Sequence, residues 1–267
     1  MAAATKEFDS INGHAPTWQG QESELHEFLK KHPNHIDALH HYARCLQYLG
    51  DDLTAFAFSQ TAVATGMRAF PAAFVIGKDR LDTSWVENRP FLRALHGLMI
   101  SQRNIGLIEE SIATGEMCLA LDRQDRFGAR EELVASLIEC HRDKAALSLF
   151  ENPKYNDTFF TNGYLHPFVL IRLGREEEAR KVLRPKLNYQ PHVGRFLLDK
   201  NLPEPKNDST LGFVTSGSEY EGWAIASSLG RFWRRNPKAM KILREETQPY
   251  EQRGWKRWSD PKSPPAS

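Results

Sequence analysis

Gly106, Cys140 and Gly174 stand thirty-four residues apart, each between two segments whose apolar residues recur at helical spacing. A period of that length with two helices per unit describes stacked helical hairpins, each of which buries its apolar face only against its neighbours. Three such hairpins fit between Ser84 and Pro191. A chain of this kind builds surfaces more often than catalytic centres.

Composition narrows the partners without naming one. With a formal net charge of +1, 40% hydrophobic and 26% charged residues, the chain has no global pull toward nucleic acid or membrane, so any electrostatic preference is local. Cys45, Cys118 and Cys140 lie in apolar helical patterns without a C-x-x-C pair, as reduced thiols do. The amino terminus has no basic-then-apolar signal, and no apolar run approaches the roughly 20 residues that span a bilayer. The expectation is a soluble intracellular protein, in the cytoplasm first and the nucleus second.

In chain order, residues 1–19 read as an unstructured leader. Leu25, Phe28 and Leu29 then mark a half hairpin that Pro33 stops. Asn34 is the expected cap of a helix carrying Leu39, Tyr42, Ala43, Leu46 and Leu49. Gly50-Asp51-Asp52 turns the chain, and Ala55 and Ala62 follow where the partner helix must approach closely. An insert at 67–88 is expected to form a short buried element ahead of the helix "RPFLRALHGLMISQ", with Ser84 and Glu87 as a capping box or Asn88 as the cap. Repeats extend over 20–195. An extended connector fills 196–216, and 217–258 form a helical cap: Ser218, boxed by Glu221, starts one helix and Asn236-Pro237 another. Residues 259–267 form a Pro/Ser tail without a core.

These hairpins resemble the tetratricopeptide repeat family. In "LGREEEARKVLRPKLNYQP", Gly174, Ala179, Leu183 and Pro191 fall where that family has its turn glycine, packing alanine, large apolar residue and closing proline. The third unit supplies Ala145 and Leu149 after Cys140, and the second Ser111 and Cys118 after Gly106. Gly115 stands where a large residue is usual, Leu39 and Leu95 replace the family's tryptophan, and Pro167 falls inside the fourth first helix, which it should kink or split. The fold expected is all-α, an irregular tetratricopeptide-like αα solenoid with an insert after its first full repeat and a carboxy-terminal helical cap.

The resemblance implies a concave groove lined by the first helix of each unit, which holds an extended peptide or a helix. Asp37, His40, Arg44 and Gln47 share one polar stripe, and Arg89, Arg93, His96 and Arg103 the next. Arg130 continues the basic set beside Phe127, Val134 and Leu137, whereas Tyr164, Phe168 and Ile171 turn the fourth stripe apolar. The expected partner-binding residues are therefore His40, Arg44, Arg89, Arg93, His96, Arg103, Arg130, Tyr164 and Phe168. They suit a protein or peptide partner that carries acidic and hydrophobic residues. The Lys/Asn-rich clamp for a chaperone's terminal carboxylate is not reproduced.

No Walker loop, G-x-G-x-x-G, G-x-S-x-G or H-E-x-x-H occurs, and the glutamate runs read as solvated helix faces, so neither catalytic residue nor cofactor is assigned. His41 and Cys45 offer two ligands four residues apart, too few for a metal. Two rivals to a non-catalytic adaptor stay open. One is nucleic-acid binding through the basic carboxy-terminal segment, from Arg231, Arg234, Arg235 and Lys238 to Lys241, Arg244, Arg253, Lys256 and Arg257, with Trp233, Trp255 and Trp258. The other is an enzyme using His96, Asp79 or Asp82 in a pocket beside the insert.

Overall fold

The register of each hairpin is counted from a residue in the left-handed conformation. Gly50, Gly106 and Gly174 have φ of 86°, 84° and 79°, and in each turn the next residue's N–H donates to a carbonyl five residues back: Asp51 to Leu46, Leu107 to Gln102, and Arg175 to Leu170. Such a turn satisfies the last carbonyls of the first helix and reverses the chain. Five residues after each glycine comes a small residue without exposed surface: Ala55, Ser111 and Ala179. The third turn departs by one position. There the left-handed residue is His141, with φ of 57°, and the buried small residue is accordingly Ala146, whereas the expected Ala145 is exposed.

This computed structural model describes residues 2–14, 17–153, 162–207 and 214–256. Among them the chain is all-α, with thirteen helices and no strand. They fall into two compact units, Met1–Cys140 and His141–Ser267. No helix among the described residues is long and apolar enough to cross a membrane.

The first unit holds α1 (Ala2–His14), α2 (Trp18–Lys31), α3 (Ile36–Tyr48), α4 (Asp52–Met67), α5 (Arg89–Asn104), α6 (Ile108–Leu121) and α7 (Ala129–Glu139). Helix α1 replaces the expected unstructured leader. Ala4, Phe8 and Ile11 lie on one face of it, and Phe8 is buried with its ring 6.1 Å from Phe28 and 5.0 Å from His35. Asn34 does not cap α3. His35 does, its Nδ1 accepting the Ala38 N–H at 3.1 Å, and burial holds this imidazole below its usual pKa, in the neutral form that can accept.

The insert buries less than expected. Leu81 and Thr83 are buried and Phe70 stacks on Phe74, but Val75, Trp85 and Val86 are exposed. Turns run through it to a short 3-10 helix (Val86–Asn88), and neither expected cap forms ahead of α5. Ser84 instead donates its N–H to Asp82.

The second unit holds α8 (Asp143–Phe150), α9 (Leu165–Arg172), α10 (Glu176–Tyr189), α11 (Pro191–Leu198), α12 (Glu219–Trp233) and α13 (Pro237–Glu251). Pro167 does not kink α9. The helix begins only two residues earlier, in the first turn where the missing N–H has no intrahelical partner to lose. The pattern also continues past Pro191: α11 buries Val193, Phe196 and Leu197 and packs on α12. Ser218 Oγ accepts the Glu221 N–H at 3.1 Å, and Asn236 Oδ1 accepts that of Ala239 at 3.0 Å. The expected tail, 259–267, lies outside the described residues.

Gly115 departs from the repeat pattern for a packing reason. A Cβ there would meet the Met99 sulfur at 2.8 Å and Leu133 at 3.2 Å, so α6 approaches α5 and α7 through a residue without a side chain. Gly115→Leu is expected to overpack this contact and cost about 1–3 kcal/mol, read as a lower urea midpoint at unchanged slope.

Candidate functional site

The polar stripe of the first unit is built, but it faces inward onto its own carboxylates. Arg93 of α5 reaches Asp37 of α3 with two hydrogen bonds, Nε to Oδ1 at 3.0 Å and Nη2 to Oδ2 at 2.7 Å. Arg103, three turns along the same helix, pairs with Glu132 of α7. Between them Ser101 Oγ accepts a hydrogen bond from Gln47 Nε2 and shares another with Ser59 Oγ, both at 2.9 Å. Two arginines expected to face a partner therefore bind α3 to α5 and α5 to α7. A fork-shaped guanidinium held by a carboxylate in this way is largely neutralised.

The remaining predicted positions divide by burial. His40 is buried against α5 at Gly97, where a Cβ would lie 2.6 Å from its Nδ1; burial holds the imidazole well below its usual pKa. His96 is held down by the same cause. Arg89 donates Nε to the Thr83 carbonyl. Arg130, 3% exposed, lies beside the carboxylate of Asp125, with Nε 3.7 Å from Oδ2. Burial pushes Asp125 up to about 6, against the Arg130 backbone N–H and guanidinium, which pull it down. Arg44 is half-exposed: it donates to Tyr48 Oη at 3.2 Å, and Tyr48 stacks on Trp18 at 3.9 Å.

In the second unit Tyr164 and Phe168, expected as apolar contacts, are core residues instead. Tyr164 Oη donates to the Gln190 carbonyl at 2.8 Å, and the Phe168 ring lies 5.6 Å from the fully buried Trp233. The basic carboxy-terminal segment is similarly engaged in part. Arg234 donates to the last carbonyls of α11, those of Phe196 and Leu197, and Lys238 pairs with Glu176. Arg235, Lys241, Arg244 and Lys256 are exposed, whereas Arg257 and Trp258 lie outside the described residues.

Catalytic chemistry finds little room around the residues proposed for it. Asp79 accepts the Val75 N–H at 2.7 Å and Asp82 that of Ser84 at 2.8 Å, both closing turns. The cavity beside His96, lined by Leu92, Cys118, Asp122, Asp125 and Phe127, has a volume of about 10 Å³. That space suits one water at most. Burial raises the Cys45 thiol to about 11, and its Sγ donates to Gln21. Among the described residues no group of three or more His, Cys, Asp or Glu is placed to hold a metal.

Among the described residues there is also a large concavity that the chain's repeat period does not indicate. It lies in the second unit between α10 and α12, has a volume of about 770 Å³, and is lined by Gly163, Tyr164, Lys181, Val182, Pro185, Lys186, Tyr189, Gln190, Glu221 and Ile225. Its signal was present in α10. Beyond the buried Ala179, Leu183 and Leu187, the helix carries a second apolar stripe at Val182, Pro185 and Tyr189.

Against known proteins, residues 18–264 match the model of a family described as transcriptional repressor TCF25. No curated protein matches the chain. Among solved structures, that of YrrB, described as a TPR protein with an unusual peptide-binding site, aligns at 13% identity with a TM-score of 0.49, covering 85% of this chain and 94% of that one.

Two outcomes follow from the stripe. A double-mutant cycle of Asp37→Ala and Arg93→Ala is expected to give a coupling of about 1 kcal/mol in urea denaturation, because the pair is only partly exposed. Asp125 binds its proton more firmly folded than unfolded, so its contribution to stability falls as pH rises from about 4 to about 6. Asp125→Asn, which tolerates the left-handed φ of 50° there, should flatten that part of the stability–pH curve relative to the parent.

Proposed function

The chain belongs to the Tcf25 family, and from that premise we propose that it is a non-catalytic protein-interaction scaffold serving transcriptional repression. The observation that carries this reading is the open concavity between α10 and α12, about 770 Å³ with mainly apolar walls. A surface of that size and character matches a docking site for part of another molecule, whereas Arg93 and Arg103 are engaged in holding helices together. The partner is a protein segment with hydrophobic and acidic residues. Arg44, with Trp18 and Tyr48, offers a second contact on the first unit, since Trp18 is 44% and Tyr48 55% exposed. The repressor reading puts the site of action in the nucleus.

Nucleic-acid binding through Arg235, Lys241, Arg244, Trp255 and Lys256 is the competing reading. Single-strand binding needs aromatic faces open for stacking, and Trp233 is fully buried while Trp255 is half-buried beside Gly194.

One comparison separates the two. The immobilised full chain is offered a random peptide library displayed on phage and, separately, a fluorescent single-stranded oligonucleotide at about 0.15 M salt. Peptide enrichment without oligonucleotide retention is expected. Oligonucleotide retention that Trp255→Ala with Lys256→Ala abolishes, together with no enriched peptide, would replace the scaffold by a nucleic-acid binder.

A further inference from the structure

We propose that the cavity between α10 and α12 receives a partner segment in which an Asp or Glu side chain stands beside an aromatic or branched apolar one, with Lys186 as the residue that selects the acid. This rests on the scaffold reading above and assigns it a site and a recognition chemistry.

The apolar half of the argument is the second stripe of α10. Val182, Pro185 and Tyr189 follow one another at three and four residues, and Ile225 of α12 closes the opposite wall. Tyr189 is 47% exposed. An apolar side chain entering this space leaves water for a wall of rings and methyl groups, the driving force common to buried anchors at interfaces. Pro185 contributes a second feature. Lying inside the helix without an N–H, it takes the usual donor from the carbonyl of Lys181, another lining residue.

The charged half is Lys186. It is half-buried, and burial alone pushes its ammonium below the usual lysine range. Among the described residues no carboxylate pairs with it. Its neighbours on α10 differ in this respect, since Arg180 and Arg184 both bind Glu246 of α13. Of the other charges at the cavity, Lys181 is exposed and Glu221 is already engaged: its Oε2 accepts from Gln190 Nε2 at 2.7 Å and from the Gly217 N–H at 2.6 Å. The cavity thus presents one desolvated cation that pairs with no carboxylate among the described residues, next to apolar walls. An incoming carboxylate restores to that ammonium the partner that burial withholds, which is why an acidic segment fits here better than a neutral one. A Cβ at Gly163 would stand 3.0 Å from Lys186 Nζ, so the ammonium lies close against this glycine.

The test selects the same displayed peptide library on the full chain and on three variants, each checked by circular dichroism for an unchanged fold. On the parent, enriched peptides are expected to carry Asp or Glu within a few positions of Phe, Trp, Leu or Ile. Their affinity by fluorescence anisotropy should fall about tenfold with Lys186→Gln, the scale of one hydrogen bond to a charged group. Val182→Asp should abolish binding. Lys186→Glu should exchange the acidic preference for a basic one, which a merely structural lysine would not do. Enriched peptides without an acidic bias, or binding within twofold of the parent in Lys186→Gln, would overturn the assignment while leaving a peptide-binding scaffold in place. A dimer in sedimentation that Lys186→Gln dissolves would give the cavity to a second copy of the chain, and also overturn it. Absence of any enriched peptide would remove the scaffold reading as well.

Discussion

The close approach of paired helices is the constraint from which the rest of this structure follows. A helix that ends on a left-handed residue reverses the chain at once, and its partner then comes nearest five residues later, where only a small side chain fits. Ala55, Ser111 and Ala179 occupy that place. Ser111 adds a hydrogen bond from its hydroxyl to the Met99 carbonyl at 2.9 Å, so even the polar member of the set ties α6 to α5. Gly115 and Gly97 extend the same logic to neighbouring helices. One admits Met99 and Leu133, the other the imidazole of His40. Adding volume at such points is costly because the interior is already close-packed.

Once helices stand this near, charges on their facing edges meet across the gap. Asp37 with Arg93, and Arg103 with Glu132, are consequences of that proximity. Each pair contributes modestly to stability, but each also orients one helix against the next, and the Arg93 guanidinium is held on both oxygens of Asp37. The stripe that reads as a cationic surface along the chain is, in the folded unit, a seam. In the second unit packing is incomplete beside α10, and the cavity lies there.

The second unit shows how a carboxy-terminal helical pair changes what a repeat exposes. Trp233 and Phe232 cover Phe168, converting an expected contact into core. Arg234 caps α11 through the carbonyls of Phe196 and Leu197, and Arg180 and Arg184 lash α10 to α13 through Glu245 and Glu246. These bonds tie one side of α10 to α13. Its other side, with Val182, Pro185, Lys186 and Tyr189, borders the cavity. Rigid support behind an open wall is the arrangement that lets a surface bind without ordering itself first.

Much of the architecture was readable one residue at a time. The all-α class, the left-handed glycines, the small residues after them, and the caps at Ser218 and Asn236 depend on interactions within about five positions, and periodicity records those directly. The one-residue slip at His141 escaped because the left-handed conformation there falls to a residue that rarely adopts it. Helix α1 escaped because a short amphipathic segment counts only if something waits to cover Phe8. Which arginines are neutralised, which aromatic rings are buried and where a void remains were decided by tertiary structure alone. Arg93 meets an aspartate fifty-six positions away, and the cavity exists only between α10 and α12. Such properties belong to pairs of elements distant in the chain, and a linear pattern carries each member without the relation between them.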